Sequence, residues 1–94
     1  MPANRVQVAV AEFIGTFALT FVGILSISSE LIVGTPGAPV SLIVVALAHG
    51  LILAVMIAAL AAVSGGHFNP AVTTSLLVAR RITPTVAGVH IVAQ

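Results

Sequence analysis

Apolar residues fall into two long runs, one short run and the beginning of another, divided by polar or glycine- and proline-bearing stretches. The first run, about 6–28, is long enough to cross a hydrocarbon core of ~30 Å as a helix. Within it Glu12, Gly15, Thr16, Leu19 and Gly23 share one face by three-to-four-residue spacing. Small residues on one face let helices approach closely in lipid, so the Glu12 face is expected to point into a bundle. Residues 29–40 break the pattern with Gly34, Pro36, Gly37 and Pro39, which reads as a loop with Glu30 free to sit in water. The second run, about 41–63, has no charged residue and gives a second crossing, with His49 its one strongly polar side chain.

At 64–69 the chain turns polar and glycine-rich without gaining charge. Gly65 and Gly66 permit irregular or positive-φ backbone. Asn69 is placed to cap a helix whose first position is Pro70. That helix, expected over 70–79, rises roughly 16 Å, about half of a bilayer. It is too short to span, and it runs into Arg80-Arg81. Another cap and first-turn proline, Thr83-Pro84, open a third segment, and 84–94 is read as the start of its helix.

Composition fits this reading. The 94 residues are 60% hydrophobic and 5% charged, with a mean hydropathy of +1.28. So few charges cannot cover a soluble domain of this size, and the class is an all-α integral membrane protein. No basic stripe is present that could hold nucleic acid. The absence of cysteine excludes disulfides and thiol chemistry. A cleaved signal peptide is the competing reading of the first run, but its basic region would rest on Arg5 alone and Glu12 would lie in its core. With the N-terminus cytoplasmic and the 64–69 loop dipping inward, Arg5, Arg80 and Arg81 all fall inside, as positively charged residues prefer. The cell membrane is the expected location.

Irregular backbone at membrane depth is tolerated when it is buried in protein or lines a wet cavity. The carbonyls of Gly65, Gly66, His67 and Phe68 are such groups, and the helix start at Asn69-Pro70-Ala71 carries free N–H donors and a positive dipole end. A line of acceptors leading to a positive focus suits a file of dipolar molecules and repels cations. The residues thus point to passage of small neutral solutes.

The run Ser64-Gly65-Gly66-His67-Phe68-Asn69-Pro70-Ala71-Val72-Thr73 resembles the first NPA loop of the aquaporin, or major intrinsic protein, family. Ala11-Glu12-Phe13-Ile14-Gly15-Thr16-Phe17 resembles the family's first-helix signature. Ala46-Leu47-Ala48-His49-Gly50 and Ile91-Val92-Ala93-Gln94 fall in register with it. The likeness covers nearly the whole chain apart from 29–40. It implies the first inverted repeat of a six-helix fold, a passive channel for water and small neutral solutes such as ammonia, urea or glycerol, and a homotetramer of full-length chains.

The resemblance also implies roles. Asn69 would donate its side-chain amide to a passing solute, with Pro70 and Ala71 beside it. Gly65, Gly66, His67 and Phe68 would offer carbonyls, and Glu12 would brace the loop by accepting hydrogen bonds from its backbone or from His67. His49 matches the second-helix position of the outer selectivity filter, where water-selective members usually carry Phe and tonoplast intrinsic proteins typically carry His. The alternative bland roles are a simple cap for Asn69, an interfacial carboxylate for Glu12 and helix packing for His49. His90 receives no assignment, and Arg80 and Arg81 read as interface anchors and C-terminal helix charges. No cofactor is called for. The three histidines lack the paired spacing of a metal site, and no nucleophile–base or carboxylate pair suggests an enzyme. The other functional reading is a non-conducting membrane fragment, because such a pore needs a second repeat.

Overall fold

A computed structural model describes residues 2–94. Among these, four helices and no strands are present: α1 (Arg5–Val33), α2 (Leu42–Ser64), α3 (Pro70–Val78) and α4 (Pro84–Ala93). α1 and α2 are long and apolar enough to cross a membrane, with mean hydropathies of 2.1 and 2.7 over their most apolar windows. α3, at nine residues, rises only about 13 Å.

Local chemistry accounts for most of the boundaries. The Asn4 side chain accepts from the Gln7 N–H, and the Gln7 side chain accepts from the Asn4 N–H, a reciprocal cap that starts α1. α2 ends on Gly65, whose φ of +88° is left-handed and whose N–H donates to the Ala61 carbonyl at 2.8 Å. α3 starts from Asn69 and Pro70, with Asn69 Oδ1 accepting from the Ala71 N–H at 2.8 Å. Thr83 caps α4 through the Val86 N–H.

Two expectations need correction. Residues 29–33 belong to α1 and not to the loop, which covers only 34–41. Serines do not stop the helix here: Ser26 Oγ donates to the Gly23 carbonyl at 2.6 Å and is satisfied within the helix. The break comes at Gly34, ahead of Pro36. Glu30 is correspondingly not free in water; it is half-buried and accepts from the Ser41 N–H at 3.1 Å, tying the end of α1 to the start of α2. Arg80 and Arg81 follow α3 directly after its cap residue Ala79. Arg80 takes a left-handed φ of +56°, its N–H donating to Leu77 and the Arg81 N–H to Leu76, so the pair forms the helix-ending turn itself.

α1 packs against both α2 and α4, and α3 packs against α4. Arg5, Val6, Thr85 and Gly88 line one surface cavity together with Val10 and Val92, so α4 starts beside the beginning of α1 and runs parallel to it. The turn holding Arg80 and Arg81, just upstream, therefore lies at the Arg5 end of the molecule. The chain leaves α2 beside Glu12, carries Phe68 to the level of Gly15, and returns along α3 to that same end. Gly15 is about 15 Å along α1 from Arg5, close to half the thickness of a hydrocarbon core.

Candidate functional site

The polar interior of the molecule is built on one carboxylate. Glu12 is fully buried, an arrangement that costs several kcal/mol of desolvation unless its oxygens are satisfied. Its Oε1 accepts from Ser64 Oγ at 2.7 Å and from the His67 N–H at 3.0 Å. Its Oε2 accepts from the Phe68 N–H at 2.7 Å and from the Gln94 side-chain amide at 2.6 Å. One side chain on α1 thus holds the end of α2, two consecutive residues of the 65–69 loop and the end of α4.

The loop acquires two sides as a result. The Gly65 N–H donates to Ala61, the Gly66 N–H to Ser64 Oγ at 3.2 Å, and the His67 and Phe68 N–H groups to Glu12. Every N–H of 65–68 is directed into the protein. The carbonyls of the same four residues accept no hydrogen bond among the described residues. Glycines permit this path, with φ of +88° at Gly65 and +68° at Gly66. Phe68, at +52°, is a left-handed residue without that freedom, and its ring holds it there: it is 1% exposed and lies directly over Gly15. A Cβ on Gly15 would stand 2.2 Å from the ring.

His67 is buried, with Nδ1 2.9 Å from Thr73 Oγ1; its side chain reaches α3 and not Glu12. Asn69, Pro70 and Ala71 are exposed. Because Asn69 Oδ1 is occupied by the Ala71 N–H, the amide NH2 of the same side chain is left for an outside acceptor. The α3 N-terminus adds a positive dipole end at this point.

His49 stands apart from this cluster. It is half-buried between α1 and α2, its Nδ1 2.7 Å from the Val45 carbonyl and its Nε2 where a Cβ on Gly23 would be. The four partners that complete the Glu12 site received no role from the sequence: Ser64, Thr73, His90 and Gln94. Ser64 and Thr73 sat inside the recognisable loop as polar residues of no evident purpose. For α4 the available signal was the spacing of Ala87, His90 and Gln94, which places one buried face toward α1.

The model of the family described as Major intrinsic protein matches residues 2–94. Over 94 residues the chain is 43% identical to aquaporin TIP4-4 of Zea mays, covering 98% of this chain and 37% of that protein. It is 43% identical over 84 residues to glycerol uptake facilitator protein-like 6 of Lactiplantibacillus plantarum, covering 89% of this chain and 35% of the relative. Identity to aquaporin NIP3-1 of Arabidopsis thaliana is 38% over 89 residues, or 95% of this chain and 27% of that protein. The chain therefore spans about a third of the length of these relatives. No solved structure matches it. The family match across the described chain and the apolar helices agree: this is an integral membrane protein that belongs to the major intrinsic protein family and holds part of the aquaporin-like helical fold.

Proposed function

We propose that the chain supplies one half of a passive transmembrane channel for water and small neutral solutes. The observation that carries this reading is the two-sided loop: its N–H groups are consumed inside the protein while four successive carbonyls, Gly65 to Phe68, are left for an outside donor. At membrane depth such acceptors need a wet path. The strip leads to the Asn69 amide and the α3 N-terminus, so a solute that both donates and accepts is served along it. A cation meets the positive helix end.

The strip is open on one side, since Asn69, Pro70 and Ala71 are exposed. A second repeat bearing another such half-helix would close the path, and this chain by itself is a non-conducting fragment. In this reading the N-terminus is cytoplasmic, the channel-forming proteins assemble as homotetramers, and His49 belongs to the outer filter. Replacing His49 with Phe in a conducting form then reduces ammonia or urea flux more than water flux, and equal losses count against the filter role.

The test joins this chain to the downstream two-thirds of the Zea mays aquaporin TIP4-4 and measures osmotic water flux in proteoliposomes. The joined protein raises flux, Asn69→Leu within it abolishes the increase, and the 94-residue chain alone gives none. A correctly inserted joined protein whose flux is indifferent to Asn69→Leu contradicts the reading, as does flux through the chain alone.

A further inference from the structure

His90 is 2% exposed, and the channel reading leaves it without a part. Its surroundings are unusual for a neutral imidazole. Nδ1 is 2.9 Å from the Val86 carbonyl, one turn back on α4, and Nε2 is 2.9 Å from the Ser64 carbonyl at the end of α2. Both partners are carbonyl oxygens, which accept and never donate. A neutral imidazole has one N–H and one bare lone pair, so it can satisfy only one of them. The other nitrogen would press a lone pair against an oxygen at hydrogen-bond distance.

We propose that His90 is held as the doubly protonated imidazolium, a buried cation that clamps α4 to the end of α2 and faces Glu12. Three further features favour the positive form. The Ser64 carbonyl is among the terminal carbonyls of α2, at the negative end of that helix. Glu12 Oε1 is 4.0 Å from Nε2, close enough for a direct ion pair between two buried side chains. The His67 ring stacks on His90 at a centroid distance of 4.2 Å, a neighbour compatible with one cation in the stack and unfavourable to two. The charged or titratable groups around His90 are Glu12 from α1, His67 from the loop, and Arg5, which lines a surface cavity with His90 and Ser64. α2 presents its terminal carbonyl, and α3 and α4 present no ionisable side chain of their own to this ring apart from His90.

The consequence is that His90 acts on the loop at one remove, as a positioning residue. Ser64 receives the His90 N–H on its carbonyl and gives its hydroxyl proton to Glu12, which in turn holds the His67 and Phe68 N–H groups. The clamp is independent of what passes along the carbonyl strip.

The experiment is nitrogen NMR of the full chain, labelled at its three histidines and reconstituted in lipid nanodiscs at neutral pH. Both ring nitrogens of His90 should carry protons and resonate in the imidazolium range, while the His67 ring shows one protonated and one bare nitrogen. A bare nitrogen on His90 overturns the proposal whether or not the protein conducts. In His90→Phe, which keeps an aromatic ring for the stack but removes both donors, amide exchange at Ser64, His67 and Phe68 rises by about tenfold, the loss of a charge-assisted hydrogen bond. Unchanged exchange in that variant also overturns the clamp. If the variant does not fold, the spectrum of the unaltered chain decides.

Discussion

Two glycines of α1 each leave room for a side chain of a neighbouring segment, and the two contacts differ in what stands behind them. At Gly15 the occupant is the Phe68 ring, 1% exposed, on a left-handed residue whose N–H is held by Glu12. At Gly23 the occupant is the half-buried tip of His49, whose one hydrogen bond is to its own helix. The first contact is fixed from several directions at once: by ring, backbone and carboxylate. The second can give way by rotation of a single side chain. Rigidity is therefore concentrated at the Glu12 end of the helix hairpin, where the carbonyl strip must be held against its own tendency to pair. The opposite end, where the Ser41 N–H donates to Glu30, has no comparable network among the described residues.

The largest break in this contrast comes from the carboxylate. Glu12→Ala strands two backbone N–H groups and the Ser64 hydroxyl and leaves the Gln94 amide with Thr73 as its one partner among the described residues. It should lower the unfolding free energy in mixed micelles by about 3–5 kcal/mol. Next is Gly15→Ala, which drives a methyl into a ring with no free space to enter; a loss of about 1–3 kcal/mol is expected, with faster amide exchange at Phe68. Gly23→Ala meets only the far end of His49. It should cost less than about 1.5 kcal/mol and leave exchange at 65–68 unaltered, because the side chain can move aside. The two glycines are about 12 Å apart along the helix and share no partner, so the alanine effects should add to within about 0.5 kcal/mol. The smallest change is Phe17→Leu. Phe17 is 59% exposed, stacked only on Phe13 and Phe21 of its own helix, and its replacement should shift the unfolding midpoint by no more than about 0.5 kcal/mol in free-energy terms.

What could be read from residues alone follows the range of the interactions. The Asn69-Pro70 start and the Gly65 stop are made by neighbours in sequence, so residue type and spacing suffice. Two spanning helices and one short helix follow from the lengths of apolar runs. α1 runs on to Val33 instead of ending near 28, because the residues that break the pattern, Gly34 and Pro36, stop a helix only where they stand, and nothing in 29–33 ends it sooner. Glu12 stands out as a lone carboxylate on an apolar face, but its partners are 52 to 82 positions away in sequence. Nothing local identifies Ser64, His90 or Gln94 as members of its site. The pairing of Gly15 with Phe68 and of Gly23 with His49 is illegible for the same reason. A glycine reports that space is needed without reporting what fills it.

The carbonyl strip depends on the 65–68 loop being held as firmly as a helix although it contains none. Site-resolved amide hydrogen exchange on the chain in lipid nanodiscs tests this directly, with Gly37 in the 34–41 connection as the internal reference. The His67 and Phe68 amides, which donate to Glu12, should be protected like the interior of α1, while Gly37, whose N–H makes no hydrogen bond among the described residues, exchanges freely. Exchange at His67 and Phe68 as fast as at Gly37 would contradict it.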